Sequence, residues 1–241
     1  MWVVAHRGAS GHAPENTLAA FRRAAELGAA FIETDLQISR DAHIVVIHDD
    51  RLDRTTTGRG PVREHTLAEL RELDAGSWYD SQFAGERIPT LEEVLEFSRQ
   101  SDIVFYLEIK PGAPWGVEQA VVGALRSAGE TTRAVVLSFD AATLATVRRL
   151  EPTLMTGYLY DRQQPDAVQR ALELGARQLA PRGDLVTPEL VAEARRNSLQ
   201  VVTWTINKPE QMRTLAAAGV DGIMTDYPDR LIAVLRESGS A

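Results

Sequence analysis

Short apolar runs alternate along the chain with segments whose apolar residues recur at helical spacing. This is the pattern of parallel strands joined by helical crossovers. Eight runs read as strands, ending near Ala5, Asp35, Lys110, Phe139, Tyr160, Pro181, Ile206 and Asp226. The helical segments between them carry their own boundary markers. Leu18, Phe21, Ala24 and Ala25 share one face of a segment from Thr17 to Leu27, and Gly28 can supply a left-handed stop. Thr90-Leu91-Glu92-Glu93 has the form of a capping box, Thr187-Pro188 sets an N-cap before a first-turn proline, and Lys208-Pro209 repeats that proline. Eight strand–helix units in 241 residues predict an α/β fold, a TIM-type (β/α)8 barrel taking residues 1–241 as one domain. An open doubly wound sheet would give a similar alternation.

One stretch breaks the rhythm. From Leu36 to Pro89 no regular strand–helix unit fits, and the runs Leu36 to Ser39 and His43 to Asp49 flank the turn signal Arg40-Asp41-Ala42. Parallel neighbours need a crossover of about a dozen residues or more, so these two runs read as an antiparallel hairpin. Residues 36–89 are therefore expected to form an insertion after strand two, a hairpin and lid over the barrel mouth. Folding about Asp41 would bring His48 opposite Thr34 and Asp35.

The strand ends hold the candidate chemistry. Side chains two apart on a strand share a face, so Glu33 and Asp35 project together, as do Glu108 and Lys110. In barrels the C-terminal strand ends form the active face. Converging carboxylates without thiols make a hard oxygen site, suited to Mg²⁺ or Ca²⁺ rather than zinc. The alternative role for these acids is structural pairing with Arg7, Lys110 and arginines of the insertion. His6-Arg7-Gly8 ends strand one on the same rim, offering an imidazole, a planar guanidinium and a closely approachable backbone. With His48 brought back by the hairpin, an acid and a base could flank one reacting centre. His12, His43 and His65 lack that placement and read as loop or surface residues. Asn16 could be a helix N-cap or a ligand contact, and Trp204 a core residue or the wall of a small-molecule pocket.

Composition removes several classes of function. The chain has no cysteine, which excludes disulfides, thiolate metal sites and a cysteine nucleophile. A net charge of −8 with no basic stripe argues against nucleic acid as a partner. The start, Met1-Trp2-Val3-Val4-Ala5-His6-Arg7, lacks the form of a signal peptide, and no run approaches the ~20 apolar residues of a membrane span. A cytoplasmic protein without stable membrane association is expected. The oligomeric state is not legible.

At these residues the sequence resembles the glycerophosphodiester phosphodiesterase family, nearly end to end. The resemblance is carried by His6-Arg7-Gly8-Ala9-Ser10-Gly11 with Pro14-Glu15-Asn16-Thr17, by Glu33-Thr34-Asp35, His48-Asp49 and Arg54-Thr55-Thr56-Thr57-Gly58, and by Ile88-Pro89-Thr90-Leu91-Glu92-Glu93. Further along, Leu107-Glu108-Ile109-Lys110, Trp204-Thr205-Ile206-Asn207 and Gly219-Val220-Asp221-Gly222-Ile223-Met224-Thr225-Asp226 complete it. It implies a TIM-type barrel with a segment inserted after strand two. It also implies hydrolysis of a small-molecule glycerophosphodiester to an alcohol and sn-glycerol 3-phosphate, assisted by one divalent cation. Carried across, His6 and His48 are the acid–base pair and Glu33, Asp35 and Glu108 hold the metal. Arg7 and Lys110 contact the phosphate, and Trp204 lines the glycerol side. Competing expectations are a lysophospholipase D or phospholipase C-like enzyme, a barrel that binds a phosphodiester without cleaving it, and a barrel whose acids only form ion pairs.

Overall fold

The computed structural model describes residues 1–114, 116–237 and 239. Eight parallel strands close into a barrel: β1 (Trp2–His6), β2 (Phe31–Ile38), β4 (Val104–Ile109), β5 (Ala134–Ser138), β6 (Met155–Tyr160), β7 (Gln178–Pro181), β8 (Gln200–Thr203) and β9 (Gly222–Thr225). Closure comes from β1, which pairs with β9 on one edge and β2 on the other. That rules out the open sheet. Helices fill the crossovers: α1 (Leu18–Glu26), α3 (Leu91–Ser101), α4 (Val117–Ala128), α5 (Ala141–Leu150), α6 (Ala167–Glu173), α7 (Pro188–Arg196), α8 (Pro209–Ala218) and α9 (Pro228–Glu237).

Strand alternation sorts the side chains. Val4, Tyr106, Leu137, Leu159, Val202 and Met224 fill the barrel interior, while Ile32, Phe105, Leu107 and Val136 meet α1, α3 and α4 outside. Full burial of side chains this size contributes roughly 1.5–3 kcal/mol each. The boundary markers behave as the sequence suggests. Thr17 caps α1, and Gly28 (φ +90°) ends it in a Schellman turn, with Ala29 N–H bonded to Ala24 C=O and Gly28 N–H to Ala25 C=O. Thr90 and Glu93 form the capping box of α3, and Thr187 caps α7 ahead of Pro188. Lys208 gives α8 no side-chain cap, so its start rests on Pro209 alone.

Two boundaries differ from the reading of the sequence. β2 does not stop at Asp35 but runs on to Ile38, because its outer end gains a second partner. There β3 (Ile44–Val46) pairs antiparallel, Leu36 with Val46 and Ile38 with Ile44. β8 stops at Thr203 rather than Ile206. Past it only an isolated bridge from Trp204 to Arg182 and a bond from Ile206 N–H to Met224 C=O persist.

The segment from Leu36 to Pro89 also holds more regular structure than its sequence pattern suggested. A helical turn at Val62–Glu64 precedes α2 (Leu67–Arg71), whose capping box joins Thr66 and Glu69. A second helical turn covers Ser81–Phe83. Five residues are too short for a helical period to show, so α2 escapes a periodicity search. Val45, Ile47, Leu52, Val62, Leu70, Ala75 and Ile88 give this segment a small core of its own.

Candidate active site

Strand register decides which strand-end side chains meet. His6 lies beside Glu33 across β1 and β2, and Asp35 beside Glu108 across β2 and β4. The edge of β2 that carries β1 as far as Glu33 carries β3 from Leu36 outward. Ile47 N–H continues the hairpin to Asp35 C=O at 3.1 Å, so His48 falls just beyond the end of β1. The expected hairpin thus forms, and it carries His48 to the rim. His6, Arg7, Glu33, His48, Glu108 and Lys110 line one side of a cavity of about 150 Å³, while Leu137, Phe139, Leu159, Trp204 and Met224 line the other.

Glu33, Asp35 and Glu108 are all buried, with one oxygen of each lying within 4.8 Å of the others. Burial, and the neighbouring Asp35 and Glu108, push the Glu33 carboxyl well above its ordinary range. Burial likewise pushes Glu108 up to about 7. Burial alone would raise Asp35 too, but Lys110 and Arg7 outweigh it and hold this carboxyl low. Lys110 Nζ bonds Asp35 and sits 2.9 Å from Glu108 Oε1, while Arg7 Nε is 3.2 Å from Asp35 Oδ2. Part of the structural-pairing expectation is therefore met. Two cations still face three clustered carboxylates. Among the described residues Glu108 Oε1 has its ion pair with Lys110 but no well-aligned hydrogen bond, while Glu33 takes only the Arg7 N–H (3.1 Å) and a distant His6 ring nitrogen (3.8 Å). An all-oxygen, charge-deficient, buried donor set fits a hard divalent cation.

Each rim histidine is oriented by an aspartate. His6 Nδ1 donates to Asp226 Oδ1 at 2.7 Å, and His48 Nδ1 donates to Asp49 Oδ1 at 2.7 Å. With Nδ1 occupied, the Nε2 of both rings is left for the site, which is how a carboxylate fixes an imidazole tautomer. Asp226 is itself held by Asn207 Nδ2 (2.6 Å) and Ser10 Oγ (3.0 Å), and Thr205 Oγ1 stands 3.5 Å from His6 Nε2. Burial lowers His48 further than the nearby Asp35 can offset, which favours its neutral ring.

The turn behind His6 depends on backbone conformation. Arg7 (φ +56°) and Gly8 (φ +82°) are both left-handed, and a Cβ on Gly8 would lie 2.7 Å from the Ala20 backbone. Out of this turn the Arg7 side chain reaches Asp35 and Glu15.

Asn16 is not the N-cap of α1, which Thr17 caps instead. The buried Asn16 amide donates to Asp35 Oδ2 at 2.8 Å and accepts from Thr34 Oγ1 at 2.6 Å, so it lies behind the carboxylate rather than in the cavity lining. Trp204 is a wall: its indole N–H bonds Ala180 C=O (2.7 Å) and its ring meets Phe139 edge-on at 5.5 Å. His12 pairs with Asp229, His43 with Asp41, and His65 with the Pro61 carbonyl, all away from the cavity. Sequence reasoning passed over Asp49, Asp226, Asn207 and Thr205 as site residues. Asp49 could have been suspected from its place after His48, but the Asp226 contact spans 220 residues and has no local signal.

The model of the glycerophosphoryl diester phosphodiesterase family matches residues 6–230. A glycerophosphodiester phosphodiesterase of Caldanaerobacter subterraneus subsp. tengcongensis is 42% identical over 239 residues, covering 98% of each chain. Another, of Bacillus subtilis, is 35% identical over 247 residues, covering 94% of this chain and 84% of its own. Among solved structures, an Oleispira antarctica phosphodiesterase in complex with the product sn-glycerol-3-phosphate aligns with a TM-score of 0.90 at 30% identity. That alignment covers 98% of this chain and 97% of the other.

Proposed function

The chain belongs to the glycerophosphoryl diester phosphodiesterase family, and we propose that it hydrolyses glycerophosphodiesters to an alcohol and sn-glycerol 3-phosphate by two-histidine acid–base catalysis at the cavity between Glu33 and Trp204. One observation carries this reading: two imidazoles, each tied at Nδ1 to an aspartate, stand on a cavity that also holds a buried carboxylate triad and two cationic side chains. Arg7 and Lys110 are placed to hold the non-bridging phosphate oxygens and to stabilise the charge that grows on them. His48, favoured as the neutral ring, can accept a proton at Nε2, and His6, oriented at Nδ1 by Asp226, is its partner in the acid–base pair. Glu33, Asp35 and Glu108 would hold a divalent cation such as Mg²⁺ or Ca²⁺, which would supply further charge neutralisation at the phosphate. Trp204 and Phe139 wall off water on the glycerol side, and Asn16 serves through Asp35. The segment 36–89 acts as the lid that delivers His48.

No helix among the described residues is long and apolar enough to cross a membrane. A second reading, action on an acylated lysolipid, is favoured by one feature. A larger cleft of about 580 Å³ adjoins the cavity at Trp204 and Thr205, with Val186, Ile206 and Leu215 among its lining. Metal-dependent release from choline, ethanolamine, glycerol and inositol diesters, run beside lysolipid vesicles, tests both. Turnover of vesicles alone would replace the first reading with the second.

A further inference from the structure

Arg54 and Glu15 are charged residues that the proposed chemistry leaves idle, yet they are forked onto the partners of its reacting groups. Arg54 Nε donates to Asp49 Oδ2 at 2.7 Å and Nη2 to Asp49 Oδ1 at 3.1 Å. On its other edge, Nη1 and Nη2 each donate to a Glu15 oxygen at 2.8 Å. Glu15 Oε1 also accepts from Arg7 Nη1 at 2.8 Å. One unbroken chain therefore runs from His48 through Asp49, Arg54 and Glu15 to Arg7. It crosses from the segment after β3 to the turn after β1, joining by side chains two stretches that lie beyond the ends of the paired strands.

We propose that Arg54 and Glu15 are positioning residues that set the His48 ring and the Arg7 guanidinium in one fixed relation across the cavity. The inference rests on the reading of His48 as an acid–base group and Arg7 as a phosphate ligand. Three features support it. Arg54 does not line the cavity, and its donors are committed to carboxylates, so it is not a phosphate ligand itself. A planar fork gripping two carboxylates on two edges imposes orientation as well as charge, which an ammonium cannot reproduce. Finally, the bridge reaches both ends of the relation: Asp49 also binds His48 Nδ1 at 2.7 Å, and Glu15 also accepts from Arg7 Nη1 at 2.8 Å. The geometry serves alignment: small misplacements of a reacting group carry large penalties in rate.

The test measures hydrolysis of sn-glycero-3-phosphocholine with Mg²⁺ in Arg54→Ala, Arg54→Lys and Glu15→Gln. Thermal melting and the ¹⁵N signals of the His48 imidazole are recorded on the same samples. Arg54→Ala should lower kcat by about ten- to a hundredfold, the scale of losing a partner that orients an active-site ligand, with KM and the Mg²⁺ midpoint within about threefold. Added guanidinium should restore part of the loss, and the His48 signals should change from one tautomer to a mixture. Arg54→Lys keeps the charge and covers the case in which the alanine variant unfolds; it should still lose kcat. Glu15→Gln, which frees Arg7, should raise KM as well. Parent-like kcat in both Arg54 variants, or a kcat loss matched by an equal loss of Mg²⁺ affinity, would overturn the proposal. If the parent enzyme showed no turnover, the functional reading would fail instead, and the tautomer measurement would still decide this one.

Discussion

The two walls of the cavity stand on the same architecture and could hardly differ more in chemistry. The interior-facing positions at the ends of β1, β2 and β4 are His6, Glu33, Asp35, Glu108 and Lys110. On β5, β6 and β9 the corresponding stretch offers Leu137, Leu159 and Met224, with Phe139 and Trp204 closing the rim. The contrast teaches how the charged wall gains its strength. Fixed charges facing an apolar, water-excluding wall act at a much lower effective dielectric than the same charges facing water, so their effect on a phosphate is multiplied. The apolar wall is therefore part of the electrostatics.

The largest effects should come from the charged wall. His6→Ala and His48→Ala should each lower kcat by about a hundred- to ten-thousandfold, the range for general acid–base groups, with circular dichroism unchanged. His12→Ala, His43→Ala and His65→Ala should stay within about threefold, and an equal loss at His43 would break the assignment of the hairpin's role. Next, Glu33→Gln, Asp35→Asn and Glu108→Gln should each weaken divalent cation binding in calorimetry and cost about a hundredfold in activity, the scale of a major electrostatic contact. Unchanged cation affinity in all three would remove the metal from this wall.

The same wall predicts a pH dependence. Glu33 and Glu108 are raised above the usual value of 4.5, the latter to about 7. Over that window the metal-free native protein binds more protons than the unfolded chain. Their stabilising contribution is then complete below about 4.5 and lost as pH rises through about 7. The Tm of the metal-free protein should fall across the window, and Mg²⁺ should raise Tm more above it than below, since the ligands must be deprotonated. A flat profile would mean that the triad holds no extra protons.

Smaller effects belong to the apolar wall. Trp204→Leu should raise KM about tenfold with a lesser change in kcat, as expected when a group contacts ground and transition state alike. A kcat loss equal to that of His48→Ala would erase the contrast between the walls. Trimming Arg59 to Ala84 should cost both affinity and stability, because it removes Val62, Leu70 and Ala75 from the small core beneath the hairpin. Calorimetry beside KM measurements separates the two.

Local patterns in the sequence are sufficient for much of this molecule. Alternation on β2 and β4 fixes that Glu33 with Asp35, and Glu108 with Lys110, share a face. Capping boxes and Gly28 mark helix ends, and the short link around Asp41 forces an antiparallel return that carries His48. These features follow from neighbours within a few residues, where covalent geometry limits the choices. Barrel closure through β1, the Asp226 carboxylate behind His6 and the Arg54 bridge to Glu15 join residues 220 or 39 apart in the chain. No periodicity encodes such contacts. The Arg54 bridge needs the segment after β3 to fold back beside the turn after β1. The other two exist only once the sheet has curled round on itself, because closure is what brings the last strand beside the first, and only then can a carboxylate from one end of the chain orient an imidazole at the other.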